Sequence, residues 1–249
     1  MKIVAIIEAR MGSTRLPGKV MKPILGKPVL EFLIERLKNV KLLDEIIVAT
    51  TTNKEDKAIE DLTKKLKVKC FRGSEKDCLG RVLKAAKSIK ADLIVETLGD
   101  CPLTDPKIIE KCIKTFLSGK YDYLNNALIH TFPNGLDVQV YPTKLLEEVD
   151  LLTDDPLDRE HVTYYIYTHP EKYKIKILKA TGELNWPKLA ITLDTLEDYK
   201  LIKIIFENLY TKNKKFSALD IVRFLHNNPK LPNINKHIKR KIVAQKPRK

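Results

Sequence analysis

The densest chemistry of the chain lies near its amino terminus, in Glu8-Ala9-Arg10-Met11-Gly12-Ser13-Thr14-Arg15-Leu16-Pro17-Gly18-Lys19. This segment follows directly on Ile3-Val4-Ala5-Ile6-Ile7, an apolar run that reads as a buried strand. Glycines let backbone N–H groups approach an anion closely, and Arg10, Arg15 and Lys19 bring the charge that a polyphosphate demands. The chemistry is that of a loop for a nucleoside triphosphate. It matches neither common phosphate-loop pattern, since Gly12 and Gly18 are too far apart for the Walker form, Val20 follows Lys19, and Gly-x-Gly-x-x-Gly is absent. The competing reading of Arg10 and Lys19 is a pair of solvated loop charges; the agreement of glycines with cations favours phosphate.

Two aspartates belong to the same chemistry. Leu98-Gly99-Asp100-Cys101-Pro102 closes a second apolar run, and Asp194 ends a third at residues 189–193. Ligands in open parallel sheets bind beyond the carboxyl ends of strands, so Asp100 is expected to project toward phosphates held by Arg10, Arg15 and Lys19. A carboxylate facing a triphosphate needs a cation between them, and Mg²⁺ prefers oxygen ligands and substrate phosphates. Asp194 is the candidate second carboxylate. The bland alternatives are a strand-end turn for Asp100 and a helix N-cap for Asp194, which precedes Glu197-Asp198.

The elements that must position these groups alternate through the first half. Strands are expected at residues 2–7, 45–51, 69–71 and 92–97, with helices at 28–40, 54–66 and 76–90. Such repetition implies parallel strands with helices on both faces. The next helix is punctuated by Asp105 as N-cap, Pro106 in the first turn and Gly119 at its end. The second half departs from alternation: strands at 122–128, 135–141, 174–179 and 188–193, and helices at 143–152, 157–169, 196–210 and 218–226. The expectation is one α/β domain over residues 1–235, a single mixed and mostly parallel sheet with a small substrate lobe, followed by a basic tail over 236–249.

Composition bounds the partners. At 249 residues and 43% hydrophobic, the chain can bury a substantial core. It shows no signal-peptide pattern and no apolar run of membrane-spanning length, so a cytoplasmic protein without a membrane partner is expected. Cys70, Cys78, Cys101 and Cys112 lack zinc spacing and are expected to be reduced, with Cys101 packed. Half of the net charge of +14 comes from Lys236, Lys239, Arg240, Lys241, Lys246, Arg248 and Lys249, a stretch without acids. That distribution argues against nucleic acid as the main partner. Deleting the tail is expected to spare catalysis and to weaken polyanion binding.

The first loop resembles the signature loop of the CMP-sugar synthetases, cytidylyltransferases that activate acidic sugars with CTP, and most closely their spore-coat polysaccharide branch. Further matches are Phe71-Arg72-Gly73-Ser74-Glu75-Lys76-Asp77, Gly99-Asp100-Cys101-Pro102-Leu103, Asn134-Gly135-Leu136-Asp137-Val138-Gln139, Arg159-Glu160-His161-Val162 and Leu193-Asp194-Thr195. They occur in the family's order. The resemblance implies a Rossmann-like fold of the nucleotide-diphospho-sugar transferase type. It also implies attack by a sugar hydroxyl on the α-phosphate of CTP, with release of pyrophosphate. Arg10, Lys19 and Asp100 would be catalytic, Asp100 and Asp194 would hold Mg²⁺, and Ala9, Arg10, Gly12, Ser13, Arg15, Lys19, Gly73 and Asp77 would line the nucleotide site. Arg81, one turn beyond Asp77, either pairs with it or serves as a ligand.

The sugar site is expected to draw on Asn125, Asn126, Asp137, Gln139, Arg159, Glu160 and His161, with Arg159 receiving a carboxylate bidentately. His161 either meets substrate or is a hydrogen-bonded helix residue, and Tyr164, Tyr165 and Tyr167 read as helix packing. Nonulosonic acids such as pseudaminic, legionaminic or sialic acid are the favoured acceptors, for surface glycans, and a homodimer is implied. Where sialate and deoxyoctulosonate synthetases have proline, this chain has Glu8, which separates it from them. Two other classes fit less well. A nucleotide-sugar glycosyltransferase would show Asp-x-Asp after a strand, and Gly99-Asp100-Cys101-Pro102 has one aspartate. A non-enzymatic polyanion binder would explain the tail and nothing in the first loop.

Overall fold

The computed structural model describes residues 1–240. The first half alternates as the apolar pattern requires. In order come β1 (Ile3–Glu8), a ribbon of β2 (Pro23–Ile24) and β3 (Lys27–Pro28), α1 (Val29–Leu37), β4 (Glu45–Thr51), α2 (Lys57–Lys65), β5 (Lys69–Gly73), α3 (Cys78–Ser88), β6 (Leu93–Leu98) and α4 (Pro106–Ser118). The second half supplies β7 (Tyr123–Asn125), β8 (Gln139–Pro142), α5 (Thr143–Leu152), α6 (Pro156–Glu160), α7 (Tyr164–Thr168), β9 (Ile175–Ile177), α8 (Leu196–Leu209) and α9 (Ala218–His226).

Seven strands form one mixed sheet in the order β5-β4-β1-β6-β8-β7-β9. β5, β4, β1 and β6 run parallel, and β8 enters antiparallel to both β6 and β7. Alternate residues of β1 serve opposite faces. Ile3, Ala5 and Ile7 join α1, α2, α4, α8 and α9, whereas Val4 and Ile6 join α3, α5 and α7. A strand covered on both sides must be apolar throughout, which is why β1 reads as an unbroken apolar run.

The parallel strands deliver their carboxyl ends to one edge, and β8 delivers its amino end there. Pairing sets Glu96 against Gln139 and Gln139 against Asn125, so three polar side chains from β6, β8 and β7 stand in a row. α4 is capped as expected: the Asp105 side chain accepts from the Lys107 N–H, with Pro106 in the first turn.

Two expected elements are absent as such. Residues 188–193 form no strand of the sheet; Ala190 makes an isolated parallel bridge to Asn134, and the Leu193 N–H donates to the Asp100 carbonyl at 2.8 Å. The segment crosses the strand ends because Gly135, at φ 108°, lets the chains touch: a Cβ there would lie 2.6 Å from the Thr192 nitrogen. The expected helix over 157–169 is broken between α6 and α7, where His161 has φ −114° and ψ 70°. The break lets the Thr163 hydroxyl donate to Gln139 Oε1 at 2.6 Å, tying the segment to the sheet.

Candidate active site

The first loop is shaped by its own backbone and two buried anchors. Gly18 N–H donates to the Met11 carbonyl at 3.0 Å, Lys19 N–H to Leu16 at 3.1 Å, and the Met11 N–H to the buried Asp56 carboxylate at 2.6 Å. Leu16 and Val20 sink into the core on either side of Lys19. Ser13 Oγ accepts from the Leu16 N–H at 3.3 Å. Ala9 is buried against Gly99, whose N–H donates to the Glu8 carbonyl at 2.7 Å; a Cβ on Gly99 would sit 2.9 Å from that oxygen. The close approach locks the loop after β1 to the loop after β6.

The consequence is a charge cluster drawn from three distant segments. Lys19 Nζ lies 2.6 Å from Asp100 Oδ2 and 2.9 Å from Asp194 Oδ1, and Arg15 reaches Asp194 Oδ2 at 3.0 Å. Burial works to lower the Lys19 pKa, but the two carboxylates outweigh it and hold the ammonium above the ordinary lysine value. Asp194 is not the cap of α8: Thr195 is, in a reciprocal capping box with Asp198, which leaves the Asp194 carboxylate for Lys19 and Arg15. Asp137 stands nearby, and burial, then the charge of Asp100, pushes it up to about 6. Among the described residues no group of three His, Cys, Asp or Glu side chains forms a closed metal cage. Two oxygen donors spanned by one cation suit a hard divalent ion that completes its shell from phosphate and water.

The other residues expected on the nucleotide side make contacts of their own. Arg10 is half exposed and pairs with Glu75 at 3.1 Å, and Glu75 also accepts from Asn53 at 2.8 Å. Gly12 and Gly73 occupy the loop after β1 and the end of β5, respectively. Asp77 caps α3 by accepting from the Gly80 N–H at 2.9 Å. Its pairing with Arg81 does not form. Arg81 donates to the Ser74 carbonyl and to Cys78 Sγ and sits 3.9 Å from Glu8, while Asp77 is taken by Arg159 at 2.6 Å.

A cleft of about 490 Å³ opens beside the cluster, lined by Asn125, Asp137, Gln139, Glu160 and His161 among the expected sugar residues. Asn126 and Arg159 are not in its lining. Asn126 is buried and brackets the chain, donating to the Leu136 carbonyl and accepting from the Val138 N–H, both at 2.8 Å. Arg159 spends its guanidinium on Asp77 and on Asp150, the latter at 2.8 Å, so the carboxylates expected of it come from within the fold. Tyr164 and Tyr165 are buried, whereas Tyr167 borders the cleft. A second depression of about 450 Å³ lies at the amino ends of β4 and β5, away from this chemistry.

Sequence reading missed the floor of the cleft. Glu96, on β6, accepts from Tyr141 and from Gln139 Nε2 at 2.9 Å, and Gln139 Oε1 accepts from Tyr123. Burial, then the charge of Glu8, pushes the Glu96 carboxyl well above the usual range. The only signal was a glutamate inside a mostly apolar strand. His130 and Arg240 also line the cleft and were missed. The four cysteines are free, and Cys101 is buried as expected.

A mixed α/β sheet carrying cations and two carboxylates at its strand ends has the architecture in which phosphorylated ligands bind beyond the strand ends. The chain belongs to the cytidylyltransferase family, whose sequence model matches residues 4–228. It is 39% identical over 241 residues to an uncharacterized protein of Methanocaldococcus jannaschii, covering 97% of each chain. It is 33% identical over 236 residues to the spore coat polysaccharide biosynthesis protein SpsF of Bacillus subtilis, covering 91% of this chain and 95% of that one. A solved cytidylyltransferase of Leptospira borgpetersenii superposes with a TM-score of 0.88 at 36% identity, covering 98% of this chain and all (100%) of the other. Among the described residues no helix is long and apolar enough to cross a membrane.

Proposed function

We propose that this protein transfers CMP from CTP to a hydroxyl of an acidic sugar, releasing pyrophosphate, with Mg²⁺ at Asp100 and Asp194. The observation that carries the reading is the convergence of Asp100 and Asp194 on one lysine ammonium, beside an arginine loop and a polar cleft. In phosphoryl-type transfer, positioning and charge neutralisation do most of the catalysis, and no covalent protein group is needed. Held by Asp100 and Asp194, Mg²⁺ would supply charge neutralisation for the phosphates and would lower the pKa of an attacking hydroxyl.

The chain's own residues do the rest. Arg15 holds the triphosphate, and Arg10 and Lys19 stabilise the charge that grows on the leaving pyrophosphate. Lys19 meets the nucleotide from a site already rich in carboxylates, so its ammonium remains charged. Asp137, His161 and Glu160 face the cleft and orient the sugar. With Arg159 engaged inside the fold, an acceptor carboxylate meets its hydrogen-bond donors at His130 and His161, which line the cleft. A nonulosonic acid destined for a surface polysaccharide is the acceptor we favour, in keeping with the Bacillus subtilis relative being a spore coat polysaccharide biosynthesis protein. The working form we assign is a cytoplasmic homodimer, a state that sedimentation equilibrium measures directly.

The test is pyrophosphate release with Mg²⁺ across the four nucleoside triphosphates and a panel of 2-keto sugar acids. Release with CTP and one nonulosonic acid supports the full reading. CTP binding without release keeps the nucleotide site and rejects the panel as acceptors. No binding of any triphosphate overturns it.

A further inference from the structure

Asp194 owes its place to a residue far along the chain. Its backbone N–H and that of Thr195 donate to Asp198 Oδ2 at 3.0 and 2.9 Å. Asp198 is fully buried (0% exposed) and so needs a partner. Arg240 supplies it bidentately, Nη1 to Oδ2 at 2.8 Å and Nη2 to Oδ1 at 2.6 Å. Asn235 adds a bond to Asp198 Oδ1 at 2.7 Å, and the same amide nitrogen donates to the Ala190 carbonyl at 2.9 Å. Burial works to raise the Asp198 pKa, and the bonds from Arg240 and Asn235 outweigh it and hold the group ionised below the usual range.

We propose that Arg240 is a positioning residue for the nucleotide site: through Asp198 it holds the backbone of Asp194, and residues 235–240 thereby complete the site. The inference rests on the nucleotide reading above. Residues 236–240 are therefore not a dispensable part of the basic tail. A guanidinium matches this carboxylate with two parallel bonds, which an ammonium cannot do. Without it, a buried carboxylate that also serves Asp194 loses its charge partner, and the carboxylate of Asp194 loses its fixed direction toward Asp100 and Lys19.

The experiment is calorimetric titration of CTP into the full chain, with and without Mn²⁺, for wild type, Arg240→Ala and Arg240→Lys. Wild type is expected to bind CTP more tightly with Mn²⁺. Arg240→Ala should lose about tenfold of that metal-dependent gain, the usual scale for residues that orient a metal ligand, while keeping its metal-free affinity. Arg240→Lys should lose less. In an Asp198→Asn background, Arg240→Ala should add under about twofold, because both act through one carboxylate. If Arg240→Ala fails to fold, Arg240→Lys against wild type carries the same comparison. A metal-dependent gain that survives in the variants overturns the proposal, as does an equal loss of metal-free and metal-dependent binding, which would mark a purely structural arginine. Wild type that binds no CTP removes the nucleotide reading, and this inference with it.

Discussion

Lys19 makes two contacts that a solvated loop lysine would not, one to each candidate metal carboxylate. The same geometry makes Asp100 the sharpest residue to change. Asp100→Asn keeps the shape and removes a charge, so turnover should fall by about 100-fold or more with the melting temperature preserved, as read by pyrophosphate release and circular dichroism. Turnover that survives sinks the metal assignment. Asp137 makes a prediction about pH. Its folded pKa of about 6 lies above the ordinary 3.8, so the folded protein holds a proton that the unfolded chain releases. This contribution is complete below pH 3.8 and is lost as the pH rises through about 6. The span corresponds to about 3 kcal/mol at most. Asp137→Asn should flatten the fall in stability between pH 4 and 6 seen in urea melts, and an unchanged slope would assign it elsewhere.

Elements convert sequence distance into contact. β6, β8 and β7 align Glu96, Gln139 and Asn125 because β8 runs against its neighbours, a pairing that periodicity does not encode. The apolar runs, caps and helix faces were legible, since they depend on local pattern. α5 and α9 lie where the pattern predicts them, and the Asp105 cap is formed. The crossing segment 188–193 was not legible as such, because its backbone bonds to the strand ends go to Asn134 and Asp100 and to no adjacent strand. Arg159 shows the same limit at the site. Its type suits a substrate carboxylate, but α3 and α5 present Asp77 and Asp150 first. Arg159→Ala should therefore cost stability, about 1–3 kcal/mol by denaturant melts, and leave the acceptor KM within about twofold. A large rise in KM with stability intact would return Arg159 to the sugar site.

At the scale of the whole molecule, the basic carboxyl end is joined to the site through Arg240. Arg240 is engaged with Asp198, whereas Lys241, Lys246, Arg248 and Lys249 lie outside the described residues. A chain ended after Arg240 should keep turnover and bind heparin or RNA more weakly, with a shallower salt dependence, as filter binding across salt concentrations would show. Retained polyanion binding would place that affinity on the folded body. The sequence by itself determined the alternating first half, the gathering of glycines and cations in the first loop and the membership in its family, because each rests on residues adjacent along the chain or spaced by a regular period. Tertiary structure alone decided that Lys19, Asp100 and Asp194 meet, that Asn126 and Arg159 turn inward, and that Arg240 reaches Asp198. Those contacts join segments up to 175 residues apart, and which of several suitable partners wins is set by burial and sheet register.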